Sequence, residues 1–343
     1  MSLPRTARAP TRGAALLAAM ITVALVATLA AAALWRQWRA VEVEAAERAR
    51  VQSAWLLTGA LDWGRLILGG DLLEDQRNQR SRRQPPADHL GEPWAVPLAE
   101  ARLSTFLAAG ETSAAAERDA FLSGEVTDLQ SRLNLMNLIA GSKEQQTDAL
   151  LRFDRLFTLL GLRSGELGAL QRALANAHAA MQGQASETGD APLMPNRFEQ
   201  LAWLGVSPET LQALRPYATL LPLVNNAATT VNVNTASAEA IHAAAPSLDL
   251  AQAQRLVVQR DSGAFRTAEA IRQAAGLTSE ADLGWLSVTS DFFEIRGRLR
   301  LDDVALEETA LVQRIRQPRG VHTLWRERSA CSPACQASPA PRP

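Results

Sequence analysis

Apolar positions follow three regimes along the chain. From Gly13 to Trp35 they run without a single charge. At about 1.5 Å of rise per residue, that run as a helix crosses a hydrocarbon core of about 30 Å. The pattern then turns amphipathic through WRQWRAVEVEAAERARVQSAWLLTGALDWGRLIL, with Val41, Ala45, Val51, Trp55 and Leu56 forming an apolar face among charged residues. The spacing predicts one helix over 14–68, membrane-spanning over 14–35 and a stem beyond. After Gly69-Gly70, the stretch DLLEDQRNQRSRRQPPADHLGEP mixes charges with paired prolines and reads as a loop. Short strands are expected around Trp94–Leu98 and in GEVTDLQSRLNL, where Val126, Asp128 and Gln130 share one face and Leu129 takes the other.

Three- and four-residue apolar spacing returns in QQTDALLRFDRLFTLLGL and SGELGALQRALANAHAAMQ, each closing near a glycine, as in an αα unit. QGQASETGDAPLMPN has the composition of a linker. Two short helices follow in NRFEQLAWLGVSPETLQALRPYATLLP, with Ser207 as N-cap, Pro208 at the first helical position and Glu209 as a first-turn acid. From Trp285 the period becomes two, in WLSVTSDFFEIRGRLRL, DDVALEETALVQRI and GVHTLWRER, predicting three antiparallel strands. The fold class is therefore α+β: a long N-terminal membrane and stem helix, and a sheet domain in two parts, 69–145 and 283–329. An all-α insertion over 146–282 separates the two parts, and a disordered tail over 330–343 ends the chain.

Charge refines the N-terminal reading. Arg5, Arg8 and Arg12 precede the apolar run with no acid among them, whereas Arg36 and Arg39 are followed by Glu42, Glu44 and Glu47. This places the N-terminus in the cytoplasm and the body across the membrane. The segment fits a plain anchor, a secretory signal cleaved near Ala30–Ala33, or a prepilin-type leader over 1–13. Arg12-Gly13-Ala14-Ala15-Leu16-Leu17 favours the last, because a charge and a glycine sit at the head of the apolar run and cleavage after Gly13 leaves the helix on the mature chain. Gly13 and Ala14 are the processing residues on that reading. Over all 343 residues, 35 Lys and Arg balance 36 Asp and Glu, so no global field favours a polyanionic partner. Both cysteines, Cys331 and Cys335, lie in the tail, which leaves the body without a disulfide or a CxxC motif.

Candidate chemistry is sparse. Val231-Asn232-Val233-Asn234-Thr235-Ala236-Ser237, a second helix AQAQRLVVQRD and Gly263-Ala264-Phe265 resemble a helix-hairpin-helix (SAM-like) unit, with Thr235 at the helix start. Such hairpins hold phosphate on backbone N–H groups freed by glycine turns. Here Ala245-Pro246-Ser247-Leu248-Asp249-Leu250 has no glycine and carries an acid, so a structural module is the primary reading and nucleic acid is not an expected partner. A membrane-anchored DNA-binding protein of the competence type is the alternative. His89, His178, His242 and His322 show no metal spacing, and no GxSxG, P-loop or GxGxxG occurs, so no catalytic residue is assigned. Asp71, Glu74 and Asp75 are interleaved with arginine and define no metal site.

Several stretches together resemble the protein K family of type II secretion systems, the large minor pseudopilins. They are RGAALL, DHLGEPW, GEVTDLQSRLNLMNLI, PNRFEQLAWLGVSPETLQALRPYATLLP, VNVNTASAEAI, FFEIRGRLRL and VHTLWRER. The resemblance implies a pilin-like α+β domain with a large helical insertion, leader cleavage after Gly13 and methylation at Ala14 by prepilin peptidase. It implies residence in the inner membrane with a periplasmic body. The implied partners are the I- and J-type minor pseudopilins, the H-type as a further candidate, and the major pseudopilin. The implied role is capping and initiating the pseudopilus tip for export of folded proteins across the outer membrane. Pilins carry glutamate at the fifth mature position, where this chain has Ala18. That carboxylate pairs with a neighbour's amine inside lipid, a partner a tip subunit lacks. Family members can carry calcium, but the basic DLLEDQRNQRSRRQPP leaves no ligand to name.

Overall fold

A computed structural model describes residues 12–102, 120–183, 192–276, 283–301, 304–316 and 318–330. Most of the expected leader, with Arg5 and Arg8, residues 184–191 of the expected linker over 182–196, and the tail with Cys331 and Cys335 lie outside the described residues. The chain divides into two compact units, Met1–Leu56 and Leu57–Pro343. One helix, α1, runs Arg12–Arg82. Its part in the first unit exposes Leu16, Leu17, Ile21, Val26 and Leu29, and it is long and apolar enough to cross a membrane.

In the second unit α1 lies on a five-stranded antiparallel sheet built from β1 (Leu98–Arg102), β2 (Ala120–Asp128), β7 (Phe292–Leu301), β8 (Val304–Arg316) and β9 (Arg319–Ala330), in the order β1-β2-β7-β8-β9. The three C-terminal strands pair as their period predicts, with Ile295 opposite Val126 on one side and Ala310 on the other. Leu61 and Leu68 of the stem join Trp94, Val126, Phe293, Ile295, Ala310, Val312 and Val321 in one core. Leu57 and Leu72 extend the buried helix face. Gly64 lets the backbone approach Ile295 closely, and Arg65 Nη2 donates to Val321 O at 2.8 Å, fastening the stem to β9.

The stem departs from expectation twice. It continues through the stretch read as a loop, because DLLEDQRNQRSR contains no glycine or proline and is rich in good helix formers. Arg83 takes a left-handed φ of 52° and Pro85-Pro86 follow, which ends the helix. The apolar face read from sequence is also not the one that packs, since Val41, Val51 and Trp55 are exposed and the buried face is Leu57, Leu61, Gly64, Leu68 and Leu72. Two smaller corrections follow from local chemistry. Pro93 and Pro97 cannot donate to a ladder, so Pro93–Ala95 forms a 3-10 turn and β1 starts only at Leu98. β2 stops at Asp128 because its side chain accepts from Gln130 N at 2.8 Å and turns the chain into a 3-10 segment, Leu129–Ser131.

The helical insertion has its own core, running from Leu133 to Leu286. The boundaries expected at 145/146 and 282/283 therefore fall inside it. It contains α2 (Lys143–Leu159), α3 (Ser164–Met181), α4 (Pro208–Leu214), α5 (Ala238–Ala244), α6 (Leu250–Ser262) and α7 (Ala268–Ala275). The start signals read from sequence hold at α4, where Ser207 Oγ accepts from Thr210 N with Pro208 in the first turn. Two small parallel pairs complete it, β3 (Leu133–Asn134) with β4 (Ala218–Thr219) and β5 (Val231–Asn232) with β6 (Leu286–Ser287). Buried asparagines extend this pairing: Asn134 accepts from Leu221 N and donates to Leu221 O, and Asn137 does the same with Thr229.

Candidate functional site

Gly13 and Ala14, the sequence-predicted processing residues, sit in the first turn of α1, with nothing within 4 Å of a Cβ built on Gly13. Ala18 lies one turn further along the same helix.

The stem carries a second apolar face. At 100° per residue, Gly59, Trp63, Leu66, Gly70 and Leu73 lie roughly opposite Leu57, Leu61, Gly64 and Leu68. Trp63 is 63% and Leu66 67% exposed, and the two glycines leave open space beside them. The stem of the second unit is thus apolar on the face that meets the sheet and on the face turned from it, which is the pattern of a helix with a second partner.

Where the insertion leaves and rejoins the sheet, polar side chains collect in the interior. Asp128, at the end of β2, is fully buried, and its Oδ2 accepts from Ser290 Oγ at 2.6 Å, Thr235 Oγ1 at 2.6 Å and Asn232 Nδ2 at 3.1 Å. Burial raises its pKa to about 6, opposed by the Ser290 and Thr235 hydrogen bonds. Asn232 also donates to Asp88 O and Ser290 Oγ. Asp88 Oδ2 accepts from Ser290 N at 2.7 Å, and its other oxygen meets the guanidinium of Arg314. Arg314 further donates to Asp71 Oδ2 at 2.7 Å and to Ser290 O. Its side chain is wholly buried; burial alone would lower its pKa, but Asp88 and Asp71 hold it above the ordinary arginine range.

This cluster accounts for residues whose use the sequence did not reveal. Thr235, read as a helix cap, is spent on Asp128, and Ser237 caps α5 instead, accepting from Ala240 N. Asn234 bridges to the turn before α7, donating to Phe265 O at 2.8 Å and accepting from Phe265 N at 2.9 Å. Asp249, read as a group that repels phosphate, caps α6 in a capping box with Gln252. The hairpin carbonyls of Pro246 and Leu248 accept from Arg155 of α2, so the α5–α6 turn is tied to a neighbouring helix. Of the acids weighed as ligands, only Asp71 enters the cluster. A period-two reading of β8 carried the one available signal for Arg314, because Glu308, Ala310, Val312 and Arg314 all alternate to the buried face.

Asp71, Asp88 and Glu92 offer carboxylate oxygens within 4.8 Å of one another, the geometry in which a calcium ion would be sought. Most of those oxygens already accept N–H bonds. Asp71 Oδ2 and Asp88 Oδ1 are taken by Arg314, Asp88 Oδ2 by Ser290 N, and Glu92 Oε2 by Trp94 Nε1 and His89 N. Burial, reinforced by the charges of Asp71 and Asp88, raises the Glu92 pKa to about 8. Calcium takes six to eight oxygen ligands, whereas these three acids already hold the Arg314 cation and accept N–H bonds on most of their oxygens, so this donor set does not fit it.

Two family models, both described as type II secretion system (T2SS), protein K, match residues 131–223 and 231–289. The type II secretion system protein K of Pseudomonas aeruginosa is 27% identical over 307 residues, covering 85% of each chain. In the crystal structure of the GspK-GspI-GspJ complex from the enterotoxigenic Escherichia coli Type 2 Secretion System, one chain shares this fold with a TM-score of 0.60. That match has 15% identity and covers 83% of this chain and 98% of that one. The two family regions lie in the insertion, the relative extends the match over most of the chain, and the solved structure shares the fold. Over residues 131–223 and 231–289 the chain matches the type II secretion system protein K family, and its fold is that of the solved structure.

Proposed function

We propose that this chain is a type II secretion system protein K, a minor pseudopilin that caps and helps to initiate the periplasmic pseudopilus, docking its stem against I- and J-type minor pseudopilins. The observation that carries the reading is the second apolar face of the stem. Trp63, Leu66 and Leu73 stand in solvent beside Gly59 and Gly70, on the side opposite the sheet. A helix apolar on two sides serves two neighbours, and the sheet supplies only one. The neighbouring fold comes from a complex whose other members are GspI and GspJ, which supports the same partners here. The insertion, held over the sheet by the Asp128 cluster, supplies the bulk that blocks a further subunit.

On this reading the chain starts as a single-pass inner-membrane protein with its N-terminus in the cytoplasm. Prepilin peptidase cuts after Gly13 and methylates Ala14, and Ala18 stands where a tip subunit has no amine above it to pair. N-terminal sequencing of the mature chain tests the processing, with methylated Ala14 expected and a start beyond Ala30 counting against it. Co-purification of the full-length protein with the I- and J-type subunits tests the docking. Trp63→Glu with Leu66→Glu should abolish recovery of the complex while leaving thermal unfolding unchanged. Undiminished recovery would refute the seam.

A further inference from the structure

We infer that the guanidinium of Arg314 is the resident cation of the stem-to-sheet junction, so that this protein closes the junction without a divalent metal ion. Three acidic side chains from separate parts of the chain meet there: Asp71 from the stem, and Asp88 and Glu92 from the segment after it. Carboxylates gathered in the interior need a positive charge among them. Arg314 supplies it from β8, reaching Asp71 with Nη1 and Asp88 with Nη2.

The guanidinium is built into place. Nη2 also donates to Ser290 O, and the group lies over the Phe293 ring at 4.9 Å from its centroid. Phe293 is in turn packed edge-on against Trp94 at 5.1 Å. A planar fork with fixed donors suits two carboxylates on different elements, and its charge does not depend on pH or supply. A metal ion entering the same space would compete with Nη1 and Nη2 for the same oxygens and stand against a like charge. The cross-link that an ion could provide, stem to post-stem segment to sheet, is already made by one side chain. The inference concerns the folded chain alone and holds whether or not the tip-capping reading does.

The test uses full-length protein in detergent micelles. Thermal unfolding followed by tryptophan fluorescence should give the same midpoint in millimolar calcium and in EGTA. A midpoint raised by calcium would overturn the proposal, because a ligand bound only by the folded state must shift it. Arg314→Ala removes the internal cation and leaves room among the three acids. That variant should melt lower in EGTA, recover part of the loss in calcium, and show terbium luminescence sensitised by Trp94, whose Nε1 lies 2.6 Å from Glu92 Oε2. Adding Asp88→Asn should remove the signal. Arg314→Ala melting as wild type in EGTA would equally overturn the proposal. Should Arg314→Ala fail to fold, the wild-type comparison still decides, together with Arg314→Lys, which keeps a charge and should melt lower yet remain indifferent to calcium.

Discussion

Replacing Gly64 by alanine sets two effects of known size against each other where the stem meets the sheet. In an open helix position alanine is more favourable than glycine by roughly 1 kcal/mol. At Gly64 the added Cβ would stand 2.7 Å from Ile295 Cγ2 and 3.2 Å from its Cδ1, whereas carbons rest about 3.5–4.0 Å apart. Ile295 cannot retreat: it is 3% exposed, lies in β7 between β2 and β8, and as a β-branched residue has a stiff χ1. Relieving the overlap means lifting the stem or straining the strand, at a cost of about 1–3 kcal/mol for an overpacked core. The expected net effect is a loss of up to ~2 kcal/mol. Gly69, five residues on in the same helix, has nothing within 4 Å of a built Cβ, so Gly69→Ala should gain roughly 1 kcal/mol. At about 2–4 °C per kcal/mol for a body of this size, the two variants should move the thermal midpoint of the full-length protein in opposite directions. Equal upward shifts would refute the close approach of the stem to β7.

Other consequences are equally open to measurement. The Glu92 carboxyl binds its proton more tightly in the folded protein, where its pKa is about 8, than at its ordinary 4.5, because burial and the nearby Asp71 and Asp88 charges disfavour the anion. The folded state therefore holds more protons between those values, and stability should fall as pH climbs through that window, by at most about 1.4 kcal/mol per pH unit from this group. Glu92→Gln should flatten that decline, and denaturant titrations across the range will read it. Asn232→Ala would strip a donor from Asp128 Oδ2, Asp88 O and Ser290 Oγ together. A loss of roughly 2–4 kcal/mol is expected, seen in calorimetry as separation of the insertion's transition from that of the sheet. Asp249→Ala removes the capping box of α6 and should cost about 1 kcal/mol, with hydrogen exchange rising first in the α5–α6 turn.

The sequence is most readable where one element decides its own conformation. The alternation in FFEIRGRLRL and VALEETALVQRI predicts β7 and β8 because one strand face must be buried, and Ser207-Pro208-Glu209 predicts α4 because capping is local. It is least readable where the deciding partner is remote. Asp71–Arg82 shows no apolar period, so it resembles a loop, yet its Glu, Gln and Arg residues continue a helix already nucleated upstream. Both faces of the stem are apolar, so the sequence alone does not say which one meets the sheet, and the close approach of Gly64 to Ile295 selects between them. Arg314 meets Asp88 across more than two hundred positions, a relation that no periodicity encodes. Its trace was a charge at an inward position of β8.

The construction of the junction explains why it is polar at all. The apolar cluster that joins Leu129 and Leu221 to Phe292 and Leu311 is small, with Trp325 alongside, and the Arg314 guanidinium lies on Phe293 of the separate stem–sheet core. Apolar contact of that size has no direction and would let the insertion tilt on the sheet. Hydrogen bonds have direction, and a buried network favours one arrangement even though one donor here, Arg314 Nε, has no partner. Here the chain leaves the sheet at Asp128 and returns at Ser290, and those two residues bond to each other at 2.6 Å. Asn232 and Thr235 bind the insertion to the same carboxylate, while Asp88 and Arg314 carry the connection to Asp71 of the stem. The loop-out and return points are thus closed on each other and anchored to the helix. If the protein stands at the tip of a fibre, load borne by the insertion passes through this cluster to the stem, and the insertion's orientation is fixed before any partner docks.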